Sequence, residues 1–339
     1  MKATMQAIRV HHPGGPEVLQ TEEIPVPAPR PGWVRIRVKA FGLNRSELFT
    51  RQGYSPGVRF PRVLGIECMG VVDDAGGTDL AVGQTVAALM GGMGLAYDGG
   101  YAEVTLVPRA HVLPVRTALS WHVLAAIPET WLTAWGSLVE AMDVQAGQTL
   151  LIRGGTSSVG MAAASLAKSR GLRVLATTRD PAKADALRAN GADDVVIDTG
   201  RIAEAVRRRA PEGVDGVLEL VGTVTLRDSL HAVRPGGIVC NTGILGNAWV
   251  LERFEPLEDI PSAVKLTTYH SGTTSAERST AALQEIVDGT AAGRDRVSLQ
   301  RTFRFDEIVA AHRFMEENRG SGKLVVLVVL VVLVVLVDP

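Results

Sequence analysis

The sequence predicts an α/β protein in two parts, a β-rich barrel-like part and a doubly wound parallel sheet, and three observations carry that prediction. Short alternating or apolar runs at residues 5–10, 33–40, 69–72, 85–89 and 102–107 are separated by Gly and Pro clusters, as in an antiparallel barrel. From Gln148 onward, β-rich runs at 194–197, 214–220 and 237–241 are each preceded by a helix-compatible segment, the alternation of a parallel sheet. Residues 150–180 read LLIRGGTSSVGMAAASLAKSRGLRVLATTRD, which is a strand, a tight glycine turn, a helix and a second strand in sequence.

Taken in chain order, one helix-like segment at 44–51 interrupts the strands of the first part, and a helical pattern runs over 118–140. An apolar run at 149–152 opens the parallel region. The helix expected at 159–169 carries Ala162, Ala163, Ala164 and Ala167, thin enough to lie tightly on a sheet, and the next strand is expected at 173–178. A helix at 275–290 closes the parallel region. A strand at 301–305, a helix at 306–318 and the apolar run from Leu324 then read as a return to the first part.

Length and composition bound the function. A chain of 339 residues suggests about two domains. With 46% apolar residues, 21% charged residues and a formal net charge of −1, it lacks the bulk charge that would hold nucleic acid or an anionic membrane. Cys68 and Cys240 supply neither a disulfide framework nor a four-thiolate zinc site, and the polar, proline-punctuated start is no signal peptide, so a cytoplasmic home is expected.

The turn carries the first chemistry. Glycines let the backbone turn sharply and approach a ligand, and the free N–H groups at a helix start favour an anion. Gly154, Gly155, Thr156, Ser157, Ser158, Val159 and Gly160 therefore read as a dinucleotide site, although Ser157 stands where the usual pattern has its middle glycine. A carboxylate after the second strand would favour NAD, whereas this chain has Thr177, Thr178 and Arg179, with Lys183 one turn on. Two hydroxyls and two cations favour a 2′-phosphate, hence NADPH.

At this point a resemblance becomes specific. GLNRSELFTRQGYSPGVRFPRVLGIECMGVV (42–72), DGGYAEVTLVP (98–108), PETWLTAWGSL (128–138), the glycine turn, GVDGVLELVG (213–222), RPGGIVCNTGILG (234–246) and a late GK at Gly322 and Lys323 occur in the order of the medium-chain dehydrogenase/reductase superfamily. The match spans about residues 5–330 and is most similar to the zinc-independent quinone oxidoreductase branch. The resemblance implies a GroES-like β-barrel catalytic domain whose first part is residues 1–120, a Rossmann NADPH-binding domain at 121–294, and a return to the catalytic domain at 295–339. It also implies a homodimer, and reduction of a quinone or of the C=C bond of an α,β-unsaturated carbonyl, a small hydrophobic conjugated substrate. A cofactor-binding redox sensor, structural or RNA-binding protein with little turnover is the alternative.

Zinc-dependent relatives place a cysteine ligand where this chain has Asn44, and follow Gly with His and Glu where it has Gly65, Ile66 and Glu67; an amide and an isoleucine do not replace thiolate and imidazole, so no metal is expected. Asn44 then matches the asparagine of the branch, Thr133 a threonine beside the nicotinamide, and Lys323 the terminal lysine near cofactor or substrate. Val221, Gly222, Thr242, Gly243 and Ile244 fall at carboxyl ends of parallel strands, where such sheets bind ligands. Trp131 and Trp135 are pocket walls or core. Tyr54 is the candidate proton donor, since Phe49 replaces a tyrosine common in relatives, and solvent would also serve. Finally, LVVLVVLVVLVVLV at 324–337 is too short to span a membrane and rich in β-branched residues, so it reads as a terminal strand with an extension that pairs across a dimer or is a repeat expansion.

Overall fold

The strands of the first part assemble into two sheets in a computed structural model that describes residues 3–317 and 320–328. A seven-stranded sheet follows the order Leu299–Arg304, Lys323–Leu327, Trp33–Gly42, Glu67–Asp74, Thr85–Leu89 and Val112–Pro114, with Val104–Pro108 added on Trp33–Gly42. A three-stranded sheet, Gln20–Pro25, Thr4–Val10 and Arg62–Val63, joins it through the Ala7–Ala102 bridge. Side chains alternate across a strand, so Val34, Ile36 and Val38 of Trp33–Gly42 point inward onto Ile8, Val86 and Val107 and close a barrel core.

The second part is a six-stranded parallel sheet in the order Asp194–Ile197, Arg173–Thr178, Thr149–Arg153, Val214–Glu219, Val233–Asn241 and Lys265–Thr268. Helices cover both faces, which is why Leu150, Leu151 and Ile152 form an unbroken apolar run and all lie within 1% exposure. The helix Ser158–Ser169 buries all four of its alanines against this sheet. From Thr149–Arg153 the chain first adds strands on one side, then crosses to Val214–Glu219 on the other. That reversal opens a crevice at the carboxyl ends of the two strands. The protein is therefore a GroES-like barrel beside a Rossmann sheet.

One crossover decides where the site lies. Lys323–Leu327 runs parallel to Leu299–Arg304 and antiparallel to Trp33–Gly42, with Val325 opposite Gly42 and Leu327 opposite Ala40. It carries Lys323 to the barrel end of the crevice. The helix Pro128–Trp135 continues into a π-wound turn, Gly136–Ala141, and packs between the two parts. Trp131 is fully buried core, while Trp135 borders a small second cavity with Met90 and His111. Both cysteines are buried and unpaired. Among the described residues, no helix is long and apolar enough to cross a membrane. The extension at 329–337 lies outside the described residues.

Candidate active site

The glycine turn is built by its own backbone. Gly154 sits at φ 87°, a left-handed conformation that favours glycine, and its N–H donates to Thr177 Oγ1 at 3.0 Å. A Cβ on Gly160 would come within 2.5 Å of the Gly154 carbonyl oxygen, so the helix could not approach the strand as it does. Ser157, the departure from the usual glycine pattern, caps the helix. Its Oγ accepts from Gly160 N at 3.1 Å and donates to the Gly154 carbonyl at 2.8 Å. The hydroxyl thus closes the turn, and the helix start carries no acidic residue to oppose an anion.

Facing this turn is a cavity of about 390 Å³, of a size that suits a small-molecule ligand. The barrel contributes Asn44, Arg45, Phe49 and Ile66, the helix between the two parts contributes Glu129 and Thr133, and the sheet contributes Thr156, Ser157, Ser158, Val159, Thr242, Gly243 and Ile244. Asn44, Thr133, Thr156–Val159 and Thr242–Ile244, all singled out in the sequence, are therefore brought together. Gly154, Gly155 and Gly160 form the turn behind that wall. Val221 and Gly222 lie on the next loop, which Glu219 fixes by accepting from their N–H groups at 2.7 and 3.0 Å.

Other residues lie outside the cavity wall. Thr178 spends its hydroxyl on Asp180 of its own turn, at 3.1 Å. Arg179 is exposed past the strand end, and Lys183 borders an adjoining groove, donating to the Gly320 carbonyl at 3.2 Å. Tyr54 is 66% exposed and does not line the cavity, because the helix Arg45–Arg51 ends before it and turns it to solvent. Lys323 is 2% exposed and lies behind the cavity wall, since Glu67 and Asn44 capture its ammonium.

Arg45, Glu129, Tyr269 and Ser271 are cavity residues that the sequence reading passed over. Glu129 had one legible signal, its place four residues before Thr133 on a helix, which puts both on one face. Arg45 donates to Asn247 Oδ1 at 3.3 Å, and its buried Nε finds no partner among the described residues. Burial, and next the charge of Arg179, hold its guanidinium below the ordinary arginine value. The two arginines thus feel each other across the crevice mouth.

Behind Asn44 lies a buried ionic cluster. Lys323 Nζ donates to Glu67 Oε1 at 2.8 Å and to Asn44 Oδ1 at 2.5 Å, and Asn44 Nδ2 donates to Glu67 Oε1 at 3.0 Å. Gly42 makes room for the pair, because a Cβ there would meet Glu67 at 2.4 Å and Lys323 at 2.5 Å. Glu67 Oε2 accepts from Glu129 N at 2.8 Å, and Glu47 accepts from the N–H groups of Asn44 and Ile66, each at 2.9 Å. Burial pushes the Glu47 carboxyl up to about 7 from an ordinary 4.5, against those backbone hydrogen bonds.

That shift has a measurable sign. Folded Glu47 binds its proton more tightly than the unfolded chain does, so its contribution is full below 4.5 and is lost as pH rises through about 7. The stability of the wild type relative to Glu47→Gln is expected to fall across that window by up to about 3 kcal/mol, read from urea unfolding at a series of pH values. Buried His312, held neutral down to about 3, pulls the opposite way in both proteins and cancels in the difference.

A GroES-like barrel set against a Rossmann sheet, with a glycine turn facing the cavity between them, is the architecture of the medium-chain dehydrogenases/reductases. Sequence models agree: "Alcohol dehydrogenase GroES-like domain" matches residues 30–117 and "Zinc-binding dehydrogenase" matches residues 190–326. A quinone oxidoreductase from Rattus norvegicus is 30% identical over 251 residues, covering 72% of this chain and 74% of that protein. Among solved structures, a quinone oxidoreductase from Pseudomonas syringae superposes with a TM-score of 0.86 at 26% identity, covering 96% of this chain and 100% of that one. A mycobacterial protein complexed with NADPH superposes at 0.84 with 27% identity and the same coverage. The chain belongs to the quinone oxidoreductase branch of the medium-chain dehydrogenase/reductase superfamily, and is an oxidoreductase.

The description of the second sequence model raises the question of zinc, and the donor set does not fit it. Where zinc-dependent relatives place ligands, this chain has the Asn44 amide, the Ile66 side chain and Glu67, whose carboxylate is already held by an ammonium.

Proposed function

We propose that this enzyme transfers hydride from NADPH to a quinone or to the C=C bond of an α,β-unsaturated carbonyl, without zinc. The observation that carries the reading is a single cavity bounded on one side by the glycine turn and on the other by Asn44 and Thr133. The turn at Thr156–Val159 and its helix start would hold the pyrophosphate, and Arg179 with Arg45 and Lys183 the 2′-phosphate. Thr133 and the Thr242–Ile244 loop would border the nicotinamide. NADPH, when bound, supplies the hydride.

The protein's share is placement and exclusion of water. Leu43, Phe49, Ile66, Leu245 and Phe314 make the wall largely apolar, which suits a flat conjugated acceptor. Such an acceptor delocalises the charge that hydride brings, so it needs no Lewis acid, and the ammonium of Lys323 takes up the space and charge beside Glu67 that a metal would need. A homodimer belongs to the same reading.

The test follows NADPH absorbance in the presence of a panel of quinones and enones, with metal analysis of the same sample. Oxidation of NADPH by at least one acceptor, in protein free of zinc, is expected. Tight NADPH binding with no turnover on any acceptor would point instead to a cofactor-binding protein.

A further inference from the structure

Three carboxyl groups and one ammonium meet behind and beside the cavity. Glu47, Glu67 and Glu129 come from separate elements, and Lys323 supplies one positive charge among them, placed on Glu67 at 2.8 Å. Low-dielectric surroundings do not tolerate neighbouring carboxylates that outnumber their cations, so a carboxyl in such a place holds its proton more tightly than one in water. Glu129 differs from the other two in its position, because part of its surface is exposed and it forms part of the cavity wall.

The partners of Glu129 are hydroxyls. Thr133 Oγ1 lies 3.0 Å and Ser271 Oγ 3.3 Å from Glu129 Oε1, and both residues also line the cavity. The groups facing it are Lys323 and Glu67 from the barrel, and Tyr269 and Ser271 from the loop after Lys265–Thr268. Burial pushes its carboxyl above the usual range, Lys323 draws it part of the way back, and the charge of Glu67 adds to the rise.

We propose that Glu129 is the proton donor to the reduced acceptor and that the hydroxyl of Thr133 carries the proton. The inference rests on the hydride-transfer reading above and fills the role for which Tyr54, out in solvent, is misplaced. Hydride brings two electrons and one hydrogen and leaves a negative oxygen on the acceptor. The Thr133 O–H bond breaks as a new O–H forms on that oxygen, and the Glu129 carboxyl restores the Thr133 proton. The product is a hydroquinone, or an enol that relaxes to the saturated carbonyl. The Glu129 carboxylate then regains a proton from water as the cavity empties.

Four variants and three readouts test this. In Glu129→Gln the amide keeps the hydrogen bond to Thr133 but has no acidic proton, so single-turnover reduction of an enone should slow by about 100-fold or more, with NADPH affinity unchanged within about threefold. Thr133→Val should slow it comparably, Thr133→Ser should restore it, and the double variant Glu129→Gln/Thr133→Val should be no slower than either alone. Independently of turnover and of cofactor, infrared spectra over a pH series should show a protonated-carboxyl band that persists above the usual carboxylate range and that Glu129→Gln lacks. An active wild type with an equally fast Glu129→Gln variant, additive losses in the double variant, or no such band overturns the proposal while leaving the assigned reaction standing. A wild type that oxidises NADPH with no acceptor removes the reaction and the proposal together.

Discussion

Replacement of Lys323 by Met is expected to lower the stability of the fold by about 3–5 kcal/mol, the range found when one partner of a buried ion pair is removed. Met matches the aliphatic stem in length, so packing alone would change little. The loss comes from Glu67, 1% exposed, whose Oε1 would keep only the Asn44 amide as donor, while Asn44 Oδ1 would lose the ammonium. Gly42 adds to the effect. It leaves a space that fits Lys323 and Glu67 closely, so neither group can swing out to water. Urea unfolding measures the change, and a loss below about 1 kcal/mol would mean that the pair is far better solvated than its burial indicates.

The second large effect concerns cofactor choice. Arg179→Asp combined with Lys183→Ala is expected to weaken NADPH binding by roughly 100-fold or more while NADH binding holds or improves, since charge-assisted hydrogen bonds to phosphate are each worth about 1.5–3 kcal/mol. Arg179 is exposed, so the fold does not depend on it, and Asp at the end of this strand can accept from ribose hydroxyls. Arg45, reaching over from the barrel, is expected to preserve a residual preference for the phosphate. Fluorescence titration of both cofactors gives the ratio, and an unchanged ratio would remove the 2′-phosphate from these residues.

Much of this was legible in the sequence, for identifiable reasons. The core strands announce themselves because burial on one face or both imposes a pattern, as in the alternation of Trp33–Gly42 and the apolar run of Thr149–Arg153. Some strands at the margins do not. Gln20–Pro25 exposes Gln20, Thr21 and Glu23, Lys265–Thr268 is a polar edge of the parallel sheet, and Val112–Pro114 is three residues long, so none has a pattern to read.

The site divides the same way. The glycine turn is readable because backbone geometry demands glycine at Gly154 and Gly160, and the structure explains Ser157 as a cap. Asn44 and Thr133 were found through resemblance. Arg45, Ser271 and Tyr269 were missed because their place in the wall depends on how separate elements dock. Lys323 shows the converse: its motif marked it as important, but only the register of Lys323–Leu327 against Trp33–Gly42 decides that its ammonium turns to Glu67 and away from the cavity.

The same strand has a consequence for how the molecule is made. Lys323 and Asn44 are 279 residues apart, and Lys323–Leu327 lies inside its sheet, between Leu299–Arg304 and Trp33–Gly42. The seam between Leu299–Arg304 and Trp33–Gly42 therefore closes, and Glu67 gains its ammonium, only after residues 323–327 have been made. A chain without this strand is expected to leave two unpaired strand edges open to wrong partners.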